Sequence, residues 1–174
     1  VVTIGIVFAV IGSHKKENNP SVADNQNNET TAEPTTEEET TTKVPTVEVD
    51  LMMIGDMLMH EGVVKSGLMD DGTYNFDHLY TNIAKDISSA DIKIVNQETI
   101  LGGSDFAYTG YPTFNSPWAL GDAEVKAGFN IILHATNHTL DKGLKGVENC
   151  LSFWKTYHPD TTVLGINETE EDYE

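Results

Sequence analysis

What most constrains this chain is a repeated pattern of short apolar runs that each stop at polar residues. Leu51 to Ile54 stops at Gly55-Asp56, Asp91-Ile92-Lys93-Ile94-Val95 at Asn96-Gln97-Glu98-Thr99, and Phe129 to Leu133 at a cluster holding His134, Asn137, His138 and Asp141. Runs of this length, bounded by turn residues, read as strands. Helical periodicity fills the gaps. Leu79, Ile83 and Ile87 recur every four residues between Tyr74 and Ala90, Ala119 to Ala127 is closed by Gly128, and Leu144, Val147, Leu151, Trp154 and Tyr157 form a stripe closed by Pro159. Thr162 to Leu164 begins a fourth strand. Strands alternating with helices predict an α/β protein, a layered sheet with crossover helices and parallel strands. The first run follows the alternation Val47-Glu48-Val49-Asp50 and is predicted to be a central strand.

Composition divides the rest of the chain. Residues 1-12 (VVTIGIVFAVIG) carry no charge and are shorter than the roughly 20 apolar residues of a membrane-spanning helix, so they are expected to be the end of a membrane anchor or signal segment. Residues 13-46 are rich in Asn, Thr, Glu and Pro with almost no large apolar side chain. They cannot bury enough surface to offset the entropy of ordering and are expected to form a disordered linker. A polar spacer after an apolar segment suits a domain held off a membrane, which points to an extracytoplasmic domain on a single-pass N-terminal anchor. Residues 47-174 hold the strand and helix pattern and are expected to be the N-terminal part of a larger domain. The net charge is −18, with ten lysines and no arginine, which argues against nucleic acid as a partner because phosphate neutralisation needs a basic face. The single cysteine, Cys150, falls on the apolar side of a predicted helix and is expected to be a core thiol.

Polar groups that begin where strands stop are placed to meet a ligand, since open α/β sheets bind at the carboxyl ends of their strands. Asp56, Glu98 and His138 are expected to share that rim. Two carboxylates, an imidazole and the amide oxygen of Asn137 make a donor set suited to a divalent ion, Mn, Zn, Fe or Mg, and such an ion favours hydrolysis by activating a bound water. His60 and His138, where not ligated, are the general acid or base candidates because imidazole titrates in the working range. The aperiodic stretch from Gly102 to Pro117 is a long loop at the same edge of the sheet. Its aromatics are candidates for a pocket wall, with packing inside the loop as the alternative. Asp141 is expected to cap the helix that starts at Leu144, His134 to be packed structure, and His78 and His158 to be surface residues.

Four motifs taken in order carry a resemblance. Gly55-Asp56, Asn96-Gln97-Glu98, the loop Tyr111-Pro112-Thr113-Phe114-Asn115-Ser116-Pro117 and Ala135-Thr136-Asn137-His138-Thr139-Leu140-Asp141-Lys142-Gly143 resemble the CapA family of capsule and poly-gamma-glutamate synthesis proteins. The resemblance covers about Val47 to Gly165. It implies a fold related to the calcineurin-like metallophosphoesterases, a membrane-anchored extracytoplasmic domain, and a role in making or exporting an anionic polymer. It also implies poly-gamma-glutamate or its precursors and membrane polymer-synthesis proteins as partners; from the residues themselves, Tyr111, Phe114 and Asn115 of the loop are the substrate-binding candidates, and Asp56, Glu98, Asn137 and His138 at the strand ends the metal-ligand candidates. Two alternatives stay open beside that role: a plain metallophosphoesterase acting on cell-surface phosphate esters, and a non-enzymatic accessory subunit. The phosphoesterase pattern has Asp-x-His on its first strand, whereas here Met57 and Leu58 follow Asp56 and the histidine comes at His60. Thr136 stands where that pattern has Gly. The acidic excess of the chain means that an anionic polymer would need bridging cations.

Overall fold

A computed structural model describes residues 46–171. The expected membrane segment at 1-12 and nearly all of the linker at 13-46 lie outside the described residues. The strands are β1 (Leu51–Ile54), β2 (Ile92–Asn96), β3 (Ile131–Leu133) and β4 (Thr162–Leu164), and the helices are α1 (Glu61–Ser66), α2 (Ala84–Ser89), α3 (Ala119–Ala127) and α4 (Gly143–Tyr157). All strand pairs are parallel and the order across the sheet is β1-β2-β3-β4. The α/β class with crossover helices is as expected.

This order has a direct consequence for the layers. Each strand is added on the same side of the one before it, and right-handed crossovers made repeatedly in one direction place every connecting helix on the same face. Ile54, Val95, Ile132 and Val163 stand in one row across the sheet, and all belong to the core or pack against it with Val64, Ile87, Leu120 and Phe153. The next row, Met53, Ile94, Ile131 and Thr162, points to the other face and joins no part of that core.

β1 is therefore an edge strand rather than the central strand predicted. Its continuous apolar run reads as burial on both faces, yet Leu51 is 60% exposed and Met53 56% exposed. The predicted crossover helix between Tyr74 and Ala90 is also broken. A 3-10 turn at Asp77–Leu79 precedes α2, which begins only at Ala84. Local and tertiary contacts hold that first turn out of helical geometry: Asn75 Oδ1 accepts the Asp77 N–H within the turn, while the Asp77 carboxylate pairs with Lys126 of α3 and Tyr80 is buried edge-on against Phe129. Leu79, Ile83 and Ile87 still reach the core as their spacing predicts. α3 ends where expected, with Gly128 in the left-handed region at φ 107° and its N–H closing on Glu124 and Val125 carbonyls. Among the described residues no helix is long and apolar enough to cross a membrane.

Candidate active site at the strand carboxyl ends

Backbone bonds lace the strand ends together beyond the sheet. Met57 N donates to Asn96 O at 2.9 Å, Gln97 N to Leu133 O at 2.9 Å and His134 N to Leu164 O at 2.8 Å. Gly165 makes the closest approach: at φ 93°, a Cβ there would lie 2.4 Å from Ala135 N, so only glycine lets the end of β4 pass against the end of β3. Asp56 is exposed and its Oδ1 accepts from Asn96 Nδ2, which ties the first strand end to the second. Thr136 ties the third to the second. Its hydroxyl donates to Glu98 O at 2.7 Å and accepts the His138 N–H at 3.2 Å. The threonine that departs from the phosphoesterase pattern is thus the staple that sets the His138 backbone beside Glu98.

His138 is half-buried, and its Nδ1 lies 2.8 Å from Asp141 Oδ2. A carboxylate oxygen only accepts, so Nδ1 carries the proton of this bond, and Nε2 takes no part in it. The same Oδ2 accepts the Phe114 N–H at 2.7 Å. Asp141 is therefore not the cap of α4, which has Lys142 at its N-cap and no side-chain capping bond. The reason is geometric. With α4 starting at Gly143, Asp141 lies in the preceding turn, three residues after His138, where its carboxylate meets the imidazole. Phe114 packs edge-on to His138 at a centroid distance of 4.6 Å and to His60 at 5.2 Å. His60 is exposed and stands at the N-cap of α1 with no side-chain capping bond, so both acid–base candidates flank one phenyl ring.

The loop from Gly102 to Pro117 is more ordered than its composition suggests. Thr109 and Asn115 pair in an antiparallel bridge, with N–H to O distances of 3.2 and 3.0 Å, and close a hairpin over 109–115 that contains a cis Tyr111-Pro112 bond. Of the three substrate-binding candidates only Tyr111 is open to solvent, at 78% exposure. Phe114 is 1% exposed and Asn115 0%. The Asn115 amide donates to Gly103 O at 2.9 Å and to the Phe106 and Ala107 carbonyls, so it anchors the loop. Phe114 wedges between two imidazoles. Neither has a face left for substrate. Beside the hairpin base, a cleft of about 360 Å³ is lined by Glu61, Lys65, Leu68, Tyr74, Tyr108 and Thr109 among others, and it lies next to His60 along the chain.

His134 and Cys150 belong to the interior, as expected. The donor-only Trp154 indole N–H is 2.9 Å from His134 Nε2, and burial pulls the His134 pKa down to about 3. Burial also pushes the Cys150 thiol up to about 12, which makes it inert as a nucleophile. His158, predicted to be a surface residue, is half-buried. It packs on Phe153 and Trp154, and its Nε2 lies 2.7 Å from Asp122 Oδ1, joining the end of α4 to α3. His78 is exposed and meets Ser66 Oγ at 3.1 Å.

The expected metal ligands end up in different settings. Asp56 and Asn137 are exposed, Glu98 and His138 are half-buried, and Asp56 is engaged by Asn96. No group of three or more His, Cys, Asp and Glu side chains among the described residues stands close enough to hold a metal ion. His138 is instead part of a carboxylate–imidazole pair with Asp141. No curated protein matches the sequence. A family model does: the strand ends, the hairpin and the His138 segment all lie within residues 50–174, the span matched by the bacterial capsule synthesis protein PGA_cap, and the chain belongs to that family.

Proposed function

We propose that this domain works outside the cytoplasm, on an N-terminal membrane anchor, in the synthesis or export of a capsule polymer such as poly-gamma-glutamate or its precursors. In this reading the rim at the carboxyl ends of the strands is its reacting site. Family membership supports the capsule role. The observation that carries the chemistry is the Asp141–His138 pair, 2.8 Å apart, with Nδ1 holding the proton. An imidazole fixed in that tautomer accepts a proton through Nε2 from an attacking water or polymer end and returns it to the leaving group. His60, across the Phe114 ring, is the second acid–base group. The neighbouring cleft with Tyr74, Tyr108 and Lys65 is the seat for the polymer segment next to the bond that reacts. Membrane polymer-synthesis proteins are the partners this role requires. Metal-assisted hydrolysis, with Asp56, Glu98, Asn137 and His138 as donors, is the alternative chemistry for the same rim.

The test uses the full-length protein in the cell that makes the polymer. His138→Ala is expected to lower polymer output on the order of 100-fold or more, the usual size of a lost acid–base group, at an unchanged protein level. Output equal to the wild type would leave an accessory subunit as the role. Metal analysis of the purified full-length wild type, Asp56→Asn and His138→Ala decides the ligands: equal metal content in all three removes Asp56 and His138 from any metal site. On intact cells, added protease is expected to cut within 13–46; full protection there would place the domain on the other side of the membrane.

A further inference from the structure

We infer that Asp141 is a positioning residue that couples the Thr109–Asn115 hairpin to His138, so that the imidazole keeps its proton-accepting tautomer only while the hairpin lies closed on the rim. This rests on the reading of His138 as the reacting base. The coupling comes from one atom. Asp141 Oδ2 accepts both the Phe114 N–H at 2.7 Å and the His138 Nδ1–H at 2.8 Å, so neither partner can move without disturbing the oxygen that holds the other. The Phe114 ring leaves with its N–H, and it is also the wall against which His138 and His60 pack.

The hairpin is exposed at its tip and anchored at its base. The Thr109–Asn115 pair and the buried Asn115 amide on Gly103 O anchor the base. At the tip, Tyr111, Pro112 and Thr113 are exposed, and Thr113 O accepts from Thr109 Oγ1 at 2.6 Å and from Lys142 Nζ at 3.1 Å. Gly110 rests against the start of α1, where a Cβ would come 3.0 Å from Glu61 N. Displacing Phe114 withdraws its N–H from Asp141, and its return restores the acceptor that holds His138.

Asn offers the decisive control. The Phe114 N–H orients the amide oxygen of an Asn at 141 toward the same point, and that oxygen accepts both N–H groups as the carboxylate does. In the full chain, Asp141→Ala is expected to speed hydrogen exchange at the Phe114 amide by about tenfold or more. It is also expected to mix the His138 tautomers, read from the ring ¹⁵N shifts, while α4 amides keep their protection. Asp141→Asn is expected to restore both readouts. Wild-type exchange and tautomer in Asp141→Ala, a change in one without the other, or failure of Asn to rescue would each overturn the coupling. Undiminished polymer output in His138→Ala would instead sink the acid–base reading and leave the coupling measured by exchange and tautomer intact.

Discussion

Glu124 lies on α3 with both carboxylate oxygens buried and without a hydrogen-bond partner among the described residues, and burial raises its pKa well above 4.5. His134 is the opposite case, a buried imidazole held neutral down to about 3. The two act on stability with opposite sign. Above pH 4.5 the unfolded chain has released the Glu124 proton that the folded chain retains, so stability falls as pH rises. Between about 3 and 6.5 the unfolded chain binds a proton at His134 that the folded chain refuses, so stability falls as pH drops. Where the two windows overlap the effects oppose each other; Glu124 supplies an alkaline decline and His134 an acid one. Glu124→Gln is expected to abolish the alkaline decline and keep the acid one, as urea titrations across pH would record; an unchanged alkaline limb would mean another group causes it. Glu124 stands between Asp122 and Lys126 on α3, and the three do not share a side of the helix. Residues two apart lie on nearly opposite sides of a helix, and here Asp122 and Lys126 are exposed while Glu124 faces the core.

Elements were legible in the sequence wherever local chemistry decides them. The Gly128 helix stop and the Thr162–Leu164 strand fall where the residues alone put them. The break before α2 did not show, because the Lys126–Asp77 pair and the burial of Tyr80 come from segments distant in sequence. The ordered hairpin escaped for the same reason: its anchor is an Asn115 amide meeting carbonyls that only the folded loop presents. Two glycines separate local from tertiary demand. Gly128→Ala introduces only ordinary contacts, the nearest at 3.6 Å to Ile87, so its cost is the left-handed backbone, about 1–2 kcal/mol. Gly165→Ala adds a clash with the Ala135 backbone to the same kind of strain and is expected to cost more. Chemical denaturation of the two variants checks the ranking, and equal losses would refute the close approach at Ala135.

At the scale of the molecule the sheet is two-sided in chemistry. Val95 and Ile132 are wholly buried under the helices, whereas Leu51 and Met53 look out from the other face. Val95→Ala or Ile132→Ala is expected to remove roughly 2–4 kcal/mol of stability, and Met53→Ala less than about 1 kcal/mol, by urea denaturation. A loss at Met53 as large as that at Ile132 would show that the outer face is covered in solution. The sequence by itself determined the α/β class and the parallel order of strands and helices, because strand ends and helix stops follow from nearby residues. Only the tertiary structure decided that β1 is an edge among the described strands and that Asp141 holds His138 and the hairpin instead of capping a helix. Those outcomes depend on distances between side chains carried by separate strands and loops, and the spacing of residues along a chain does not encode them.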